Sequence, residues 1–241
     1  MTVTAIIQAR MGSTRLPGKI LKEVNGKPLL AYQLERIAHS ECIDKIVIAT
    51  TVDQKDDVIV KFCKNNDVEY YRGSENDVLS RYYEAAEQHG GDMIVRLTSD
   101  CPIIDPVILD QTIQSFIDND YDYVSNTIER TYPRGLDTEV FSREALEKAY
   151  KEATLSRDKE HVTAYMYSNP KNFKLGYIKN GQDYSEYRWT VDTIEDFELI
   201  ELVLKNLYKE NSMFYMNDII ELLKQNPEWV KINAHIEQKK L

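Results

Sequence analysis

From Thr2 to Gln8 the chain alternates and is rich in β-branched residues, which predicts a buried first strand. A polar, turn-rich loop follows over Met11–Lys19, and Pro28–Ala38 then sets Leu30, Leu34 and Ile37 on one helical face. Lys45–Thr50 is a short continuous apolar run of the kind found in central parallel strands. A helix from Asp53, its N-cap, to about Asn66 is expected after it. Glu69–Tyr71 reads as a third strand, and Asp77–His89 as a helix with Val78, Tyr82 and Ala85 on one side. Met93–Leu97 is a further buried strand, and Asp105-Pro106 opens a helix with proline at its first position. This unbroken alternation predicts a doubly wound, mostly parallel α/β sheet, with ligands beyond the carboxyl ends of its strands.

After Asp122 the rhythm changes. Tyr123–Asn126, Thr138–Phe141 and Lys174–Lys179 read as strands between irregular connections, so a small antiparallel insertion over about residues 123–188 is expected at one edge. Arg188–Val191 is another strand candidate. Thr193–Tyr208 is an amphipathic helix expected to bury Phe197, Ile200, Val203 or Leu204, and Leu207, and Asn217–Gln225 is a last helix closed by Asn226-Pro227. No repeat, low-complexity tract or linker divides residues 1–241, so one domain is expected.

Charge narrows the function. The 241 residues carry 30 basic and 40 acidic side chains, a net charge of −10, which disfavours nucleic-acid binding. The first forty residues nevertheless hold six basic against two acidic residues, a local +4 that leaves −14 elsewhere. A basic patch on an acidic chain suggests a local anionic ligand. The three cysteines have no CxxC spacing and form no cluster with the four histidines, so a structural zinc site is not expected. No segment has the roughly 20 apolar residues of a membrane span and none reads as a signal peptide, so a cytoplasmic location is expected.

The loop Gln8-Ala-Arg-Met-Gly-Ser-Thr-Arg-Leu-Pro-Gly-Lys19 stands where an α/β sheet presents its ligand site. Flexible Gly12 and Gly18, the hydroxyls of Ser13 and Thr14, and the cations Arg10, Arg15 and Lys19 can wrap a triphosphate. It is not a P-loop, because five residues separate its glycines, Ile20 follows Lys19 and Pro17 removes a backbone donor. Asp100 and Asp192 each end a strand candidate, where a carboxylate can hold Mg²⁺ together with substrate phosphates. Either acid taken alone reads as a cap rather than a ligand, and it is the two together with the cationic loop that fit a magnesium–nucleotide site.

Ile6–Lys19 closely resembles the N-terminal signature of the cytidylyltransferases that activate acidic sugars, such as CMP-KDO synthetase and the sialic acid synthetases. With Arg72-Gly-Ser-Glu-Asn-Asp-Val-Leu79, Pro133-Arg-Gly-Leu-Asp-Thr-Glu139, Glu160-His-Val162 and Val191-Asp-Thr193, nearly the whole chain looks like the spore-coat polysaccharide biosynthesis protein F group. The resemblance implies a Rossmann-like nucleotidyltransferase fold related to GT-A glycosyltransferases, a CTP donor, a sugar acceptor and Mg²⁺. It implies nucleotide contacts from Gln8, Ala9, Arg10, Gly12, Ser13, Arg15 and Lys19, a metal on Asp100 and Asp192, and catalytic roles for Lys19, Arg15 and Asp100. The superfamily often forms homodimers, so the resemblance allows a homodimer without fixing the oligomeric state.

Transfer of CMP to an acidic sugar with release of pyrophosphate, for surface or spore-coat polysaccharide synthesis, is the reaction expected. Arg72 with Asp77 would either read the base or form a turn that caps the next helix. Asp137 and Glu139, two apart on a strand and so on one side, are candidates for sugar hydroxyls, and Glu160 and His161 for the acceptor side. Two other readings stand beside this one. A glycosyltransferase would use an Asp-x-Asp metal motif, matched in letters by Asp118-Asn-Asp120, and a nucleotide-sensing protein would bind without turnover.

Overall fold

The computed structural model describes residues 1–210 and 212–238. In chain order the elements are β1 (Val3–Gln8), β2 (Glu23–Val24), β3 (Lys27–Pro28), α1 (Leu29–Ile37), β4 (Lys45–Thr51), α2 (Asp57–Asn65), β5 (Glu69–Gly73), α3 (Val78–His89), β6 (Met93–Thr98) and α4 (Pro106–Ile117). There follow β7 (Tyr123–Ser125), β8 (Glu139–Ser142), α5 (Arg143–Glu152), α6 (Ser156–Glu160), α7 (Ala164–Ser168), β9 (Leu175–Tyr177), α8 (Ile194–Leu207), α9 (Met216–Gln225) and α10 (Pro227–Val230).

Ala5, Ile6 and Ile7 of β1 are fully buried, so both faces of this strand must be covered. It therefore lies inside a seven-stranded sheet of order β5-β4-β1-β6-β8-β7-β9. β1 pairs in parallel with β4 and β6, and β4 in parallel with β5. β8 is antiparallel to both β6 and β7, and β9 runs parallel to β7. Ile7 packs with Leu30, Leu34, Ile59, Leu109 and Ile113 of α1, α2 and α4 on one face. On the other, Ile6 and Phe141 pack with Tyr82 and Ala85 of α3 and Leu146 of α5. The mostly parallel, doubly wound α/β sheet expected is thus the one observed, and the strands of the 123–188 segment extend it. A third apolar cluster joins Trp189 to Ile200, Val203 and Leu204 of α8 and to Ile219, Ile220 and Leu223 of α9.

Locally, one expectation fails, one is refined, and one hairpin is added. Arg188–Val191 forms no strand, only a single bridge to Arg134, because its N–H groups are drawn to two different loops. Trp189 N–H donates to the Arg134 carbonyl at 2.7 Å and Val191 N–H to the Asp100 carbonyl at 2.8 Å. In α8 Ile200, Val203 and Leu204 are core positions as expected, Leu199 joins them, and Phe197 and Leu207 are half-buried against the same cluster. The hairpin β2–β3 turns at Asn25 (φ 53°) and Gly26 (φ 74°), the pair of positive φ values that Asn-Gly turns favour.

Gly135 ties the 123–188 segment to the Arg188–Asp192 run. It has φ +104°, and a Cβ there would lie 2.5 Å from the Trp189 carbonyl carbon and 2.6 Å from the Thr190 nitrogen. Only glycine allows this approach of two backbones. Gly135→Ala should destabilise the protein by about 2 kcal/mol or more, lowering the thermal midpoint by roughly 4–8 °C. An unchanged midpoint in differential scanning calorimetry would show that the two segments are not locked together there.

Candidate active site

The loop after β1 is built on one buried acid. Asp56, fully inaccessible to solvent, accepts the Met11 N–H at 2.7 Å on one oxygen and the Thr51 hydroxyl on the other. The Met11 carbonyl in turn accepts from Ser13 and Gly18, at 2.9 and 3.1 Å, which folds Met11–Gly18 back on itself. Gly18, at φ 68°, then opens a 3₁₀ turn over Lys19–Leu21 and directs Lys19 inward. Pinned at one end by a carboxylate and at the other by a left-handed glycine, the cationic loop has a defined shape.

Lys19 Nζ lies 3.0 Å from Asp100 and 2.7 Å from Asp192. Burial alone would lower its pKa, but Asp100 and Asp192 outweigh burial and hold the ammonium above its ordinary range. Asp100 is the converse: burial pushes its carboxyl up, and the Lys19 charge with hydrogen bonds brings it below the usual value. Arg15 reaches Asp192 at 3.0 Å from the solvent side. Asp192 is held from behind by Arg188 at 2.7 Å, and Arg188 by Asp196 at 2.9 Å. Asp196 is wholly buried and also accepts from the N–H groups of Asp192 and Thr193 and from Asn233.

Two cavities meet at this triad. The smaller, of about 490 Å³, lies on the loop side, and the larger, of about 810 Å³, opens toward β7 and β8. Thr98, Asp100, His161 and Asp192 face both. Of the nucleotide residues expected, Gln8, Ala9, Arg10, Ser13, Arg15 and Lys19 line the smaller cavity. Gly12, Arg72 and Asp77 are not among its lining residues. Arg72 is engaged elsewhere, donating to the carbonyls of Thr51 and Asp53 and pairing with Asp57 at 2.7 Å. Asp77 caps α3 by accepting the Ser80 N–H at 2.8 Å, the turn-and-cap alternative. Of the acceptor candidates, Asp137, Glu139 and His161 line the larger cavity, whereas Glu160 faces the smaller one.

The sequence reading passed over five contributors. Asp56, Arg188 and Asp196 support the loop and Asp192 from behind. Arg81, almost fully buried in the wall of the smaller cavity, donates to the Ser74 carbonyl while its Nε has no hydrogen-bond partner. Arg96, beside the junction, pairs with Glu139. Only Asp196 left a local trace, as the second member of the Thr193–Asp196 capping box. The letters Asp118-Asn-Asp120 lie outside both cavities: Asp118 ends α4, and exposed Asp120 pairs with Lys174.

A cationic loop, an acid just past β6 and an acid just before α8 converge on a cleft made of two cavities. A family model described as cytidylyltransferase matches residues 4–230. The chain belongs to the cytidylyltransferase family. It is 39% identical to the uncharacterized protein MJ1063 of Methanocaldococcus jannaschii, over 99% of this chain and 97% of that protein. It is 35% identical to the spore coat polysaccharide biosynthesis protein SpsF of Bacillus subtilis, over 92% of this chain and 94% of that one. A solved cytidylyltransferase from Leptospira borgpetersenii serovar Hardjo-bovis superposes with a TM-score of 0.91 at 38% identity, covering 100% of each chain. Membership of the cytidylyltransferase family makes this chain a nucleotidyltransferase that uses CTP. Among the described residues no helix is long and apolar enough to cross a membrane.

Asp196→Ala leaves Arg188 buried without its main counter-ion, a change that costs about 3–5 kcal/mol in buried pairs. Urea denaturation of this variant should therefore show a loss of that size, and a loss below about 1 kcal/mol would mean that Asp196 does not carry the Arg188–Asp192 chain.

Proposed function

We propose that this cytidylyltransferase moves CMP from CTP to a hydroxyl of an acidic sugar, releasing pyrophosphate and leaving a CMP-sugar for surface or spore-coat polysaccharide synthesis. One observation carries the proposal: an ammonium is held between two carboxylates at the junction of two cavities, with a cationic loop on one side only. The smaller cavity suits the triphosphate, because its wall carries Arg10, Arg15, Lys19 and the Ser13 hydroxyl. The larger one is left for the acceptor. Attack from that side on the α-phosphorus forms the sugar oxygen–phosphorus bond as the bond to the β-phosphate oxygen breaks.

Charge then grows on the α-phosphoryl oxygens and on the departing pyrophosphate. Arg15 and Lys19 would neutralise it from fixed positions, so that catalysis is chiefly orientation and preorganised electrostatics. Asp100 and Asp192 fit Mg²⁺: both are hard oxygen donors that already converge on one cationic atom. Bound there, Mg²⁺ would supply Lewis-acid polarisation of the α-phosphoryl group. The free thiols Cys42, Cys63 and Cys101 fit a reducing cytoplasm as the place of reaction.

A pyrophosphate-release screen of the four nucleotides with Mg²⁺, against acidic, phosphorylated and neutral sugars, tests the reading. CTP with a sugar acid should give turnover. Lys19→Ala and Asp192→Asn should each lower it at least about a hundredfold, the loss on deleting one transition-state contact, with circular dichroism unchanged. Near-normal turnover in either variant would remove these residues from the mechanism.

A further inference from the structure

The larger cavity contains three arginines, and two of them are neutralised in place. Arg96 pairs with Glu139, whose carboxylate is completed by the hydroxyls of Tyr123 and Thr163, each at 2.6 Å. Arg130 grips Asp137 with both Nη atoms, at 2.6 and 2.9 Å. These closed pairs offer little charge to a ligand. Asp100 and Asp192, at the far end, are matched to Lys19, Arg15 and Arg188.

Arg134 differs from all of them. Its side chain lines the same cavity, and its guanidinium has no ion-pair or hydrogen-bond partner among the described residues. Burial, and then the neighbouring Arg130 charge, press its pKa down against the smaller opposing pull of Asp137, a tension that an incoming anion would relieve. Its backbone is fixed: Arg134 N–H donates to the Tyr187 carbonyl at 3.0 Å, and its own carbonyl accepts from Trp189 at 2.7 Å. Gly135 presses this segment against Trp189 and Thr190, and the same run continues through Val191, bonded to Asp100, to Asp192. An unsatisfied, forked cation therefore stands in fixed register to the two carboxylates of the junction.

We propose that Arg134 is the specificity-determining residue of the acceptor cavity, and that it takes one carboxylate of the acceptor as a bidentate pair. The proposal rests on the cytidylyl-transfer reading above and adds to it the group that selects the acceptor. The planar guanidinium matches a carboxylate through two parallel hydrogen bonds. One uncompensated unit charge suits a carboxylate better than a phosphomonoester, which carries about −1.5 to −2 near neutrality. A neutral sugar leaves Arg134 unpaired in a partly buried site, so it is disfavoured as well.

The test uses the full-length protein and defined probes: 3-deoxy-manno-octulosonate, N-acetylneuraminate and glucuronate as sugar acids, glucose 1-phosphate, and neutral glucose. Thermal stabilisation in the presence of CTP is read alongside pyrophosphate release with CTP and Mg²⁺. At least one sugar acid should stabilise the protein and support turnover, while the phosphate and the neutral sugar should not. Arg134→Met should raise KM for that acid about 10- to 100-fold and abolish its stabilising effect, leaving CTP affinity by calorimetry unchanged. Arg134→Lys, charged but not forked, should recover only part of the loss. An unchanged KM in Arg134→Met, or a preference for the phosphate or neutral sugar, would overturn the role of Arg134 while sparing cytidylyl transfer. Neither stabilisation nor turnover with any sugar acid would also overturn it, and failure to bind CTP would overturn the underlying reading instead.

Discussion

Everything around the cleft is organised by one largely enclosed cation. Lys19 Nζ touches two carboxylates contributed by residues 81 and 173 positions further along the chain. Each of these acids would be costly to bury unpaired, and Lys19 would be equally costly alone. Lys19 offsets the charge of both acids at once, which favours the meeting of the loop after β1, the loop after β6 and the run before α8. In this meeting the sheet supplies the direction, since β1 and β6 are parallel neighbours that release their loops at the same edge.

Further buried polar groups hold the triad in place. Asp56 fixes the loop that brings Lys19 in, and Asp196 fixes Arg188, which fixes Asp192. Hydrogen bonds from Val191 and Thr190 to the Asp100 carbonyl sew the two acid-bearing loops to each other. The result is a preorganised site, with charged groups positioned before substrate arrives, and preorganisation is where most electrostatic catalysis originates. The division of the cleft follows from the same placement. Cations crowd the loop side, whereas in the larger cavity Arg96 and Arg130 are cancelled and Arg134 is left over.

Much of this was legible in the order of residues, and the limits are physical. Short buried strands and amphipathic helices are local patterns, so β1, β4, β6, α3 and α4 stand where their periodicity placed them. The Ile6–Lys19 loop was recognisable because its chemistry is contiguous. Arg188–Val191 was not, because its composition is that of a strand while its hydrogen bonds are set by two loops distant in sequence. Arg72 carries the same cationic chemistry as Arg15, yet it serves the end of β4 because Thr51, Asp53 and Asp57 capture it there. Arg134 lay inside a recognised motif without an assigned role. Its meaning comes from its having no ion pair among the described residues, because the neighbouring Asp137 has turned to Arg130.

The proposed convergence of a triphosphate and a divalent ion on Lys19, Asp100 and Asp192 is open to direct sight. Crystals grown with CTP and Mn²⁺ should show an anomalous peak between the Asp100 and Asp192 carboxylates, with the triphosphate along Arg10–Lys19 in the smaller cavity. A nucleotide bound outside that cavity, or manganese away from both carboxylates, would contradict the assignment of this junction as the site of cytidylyl transfer.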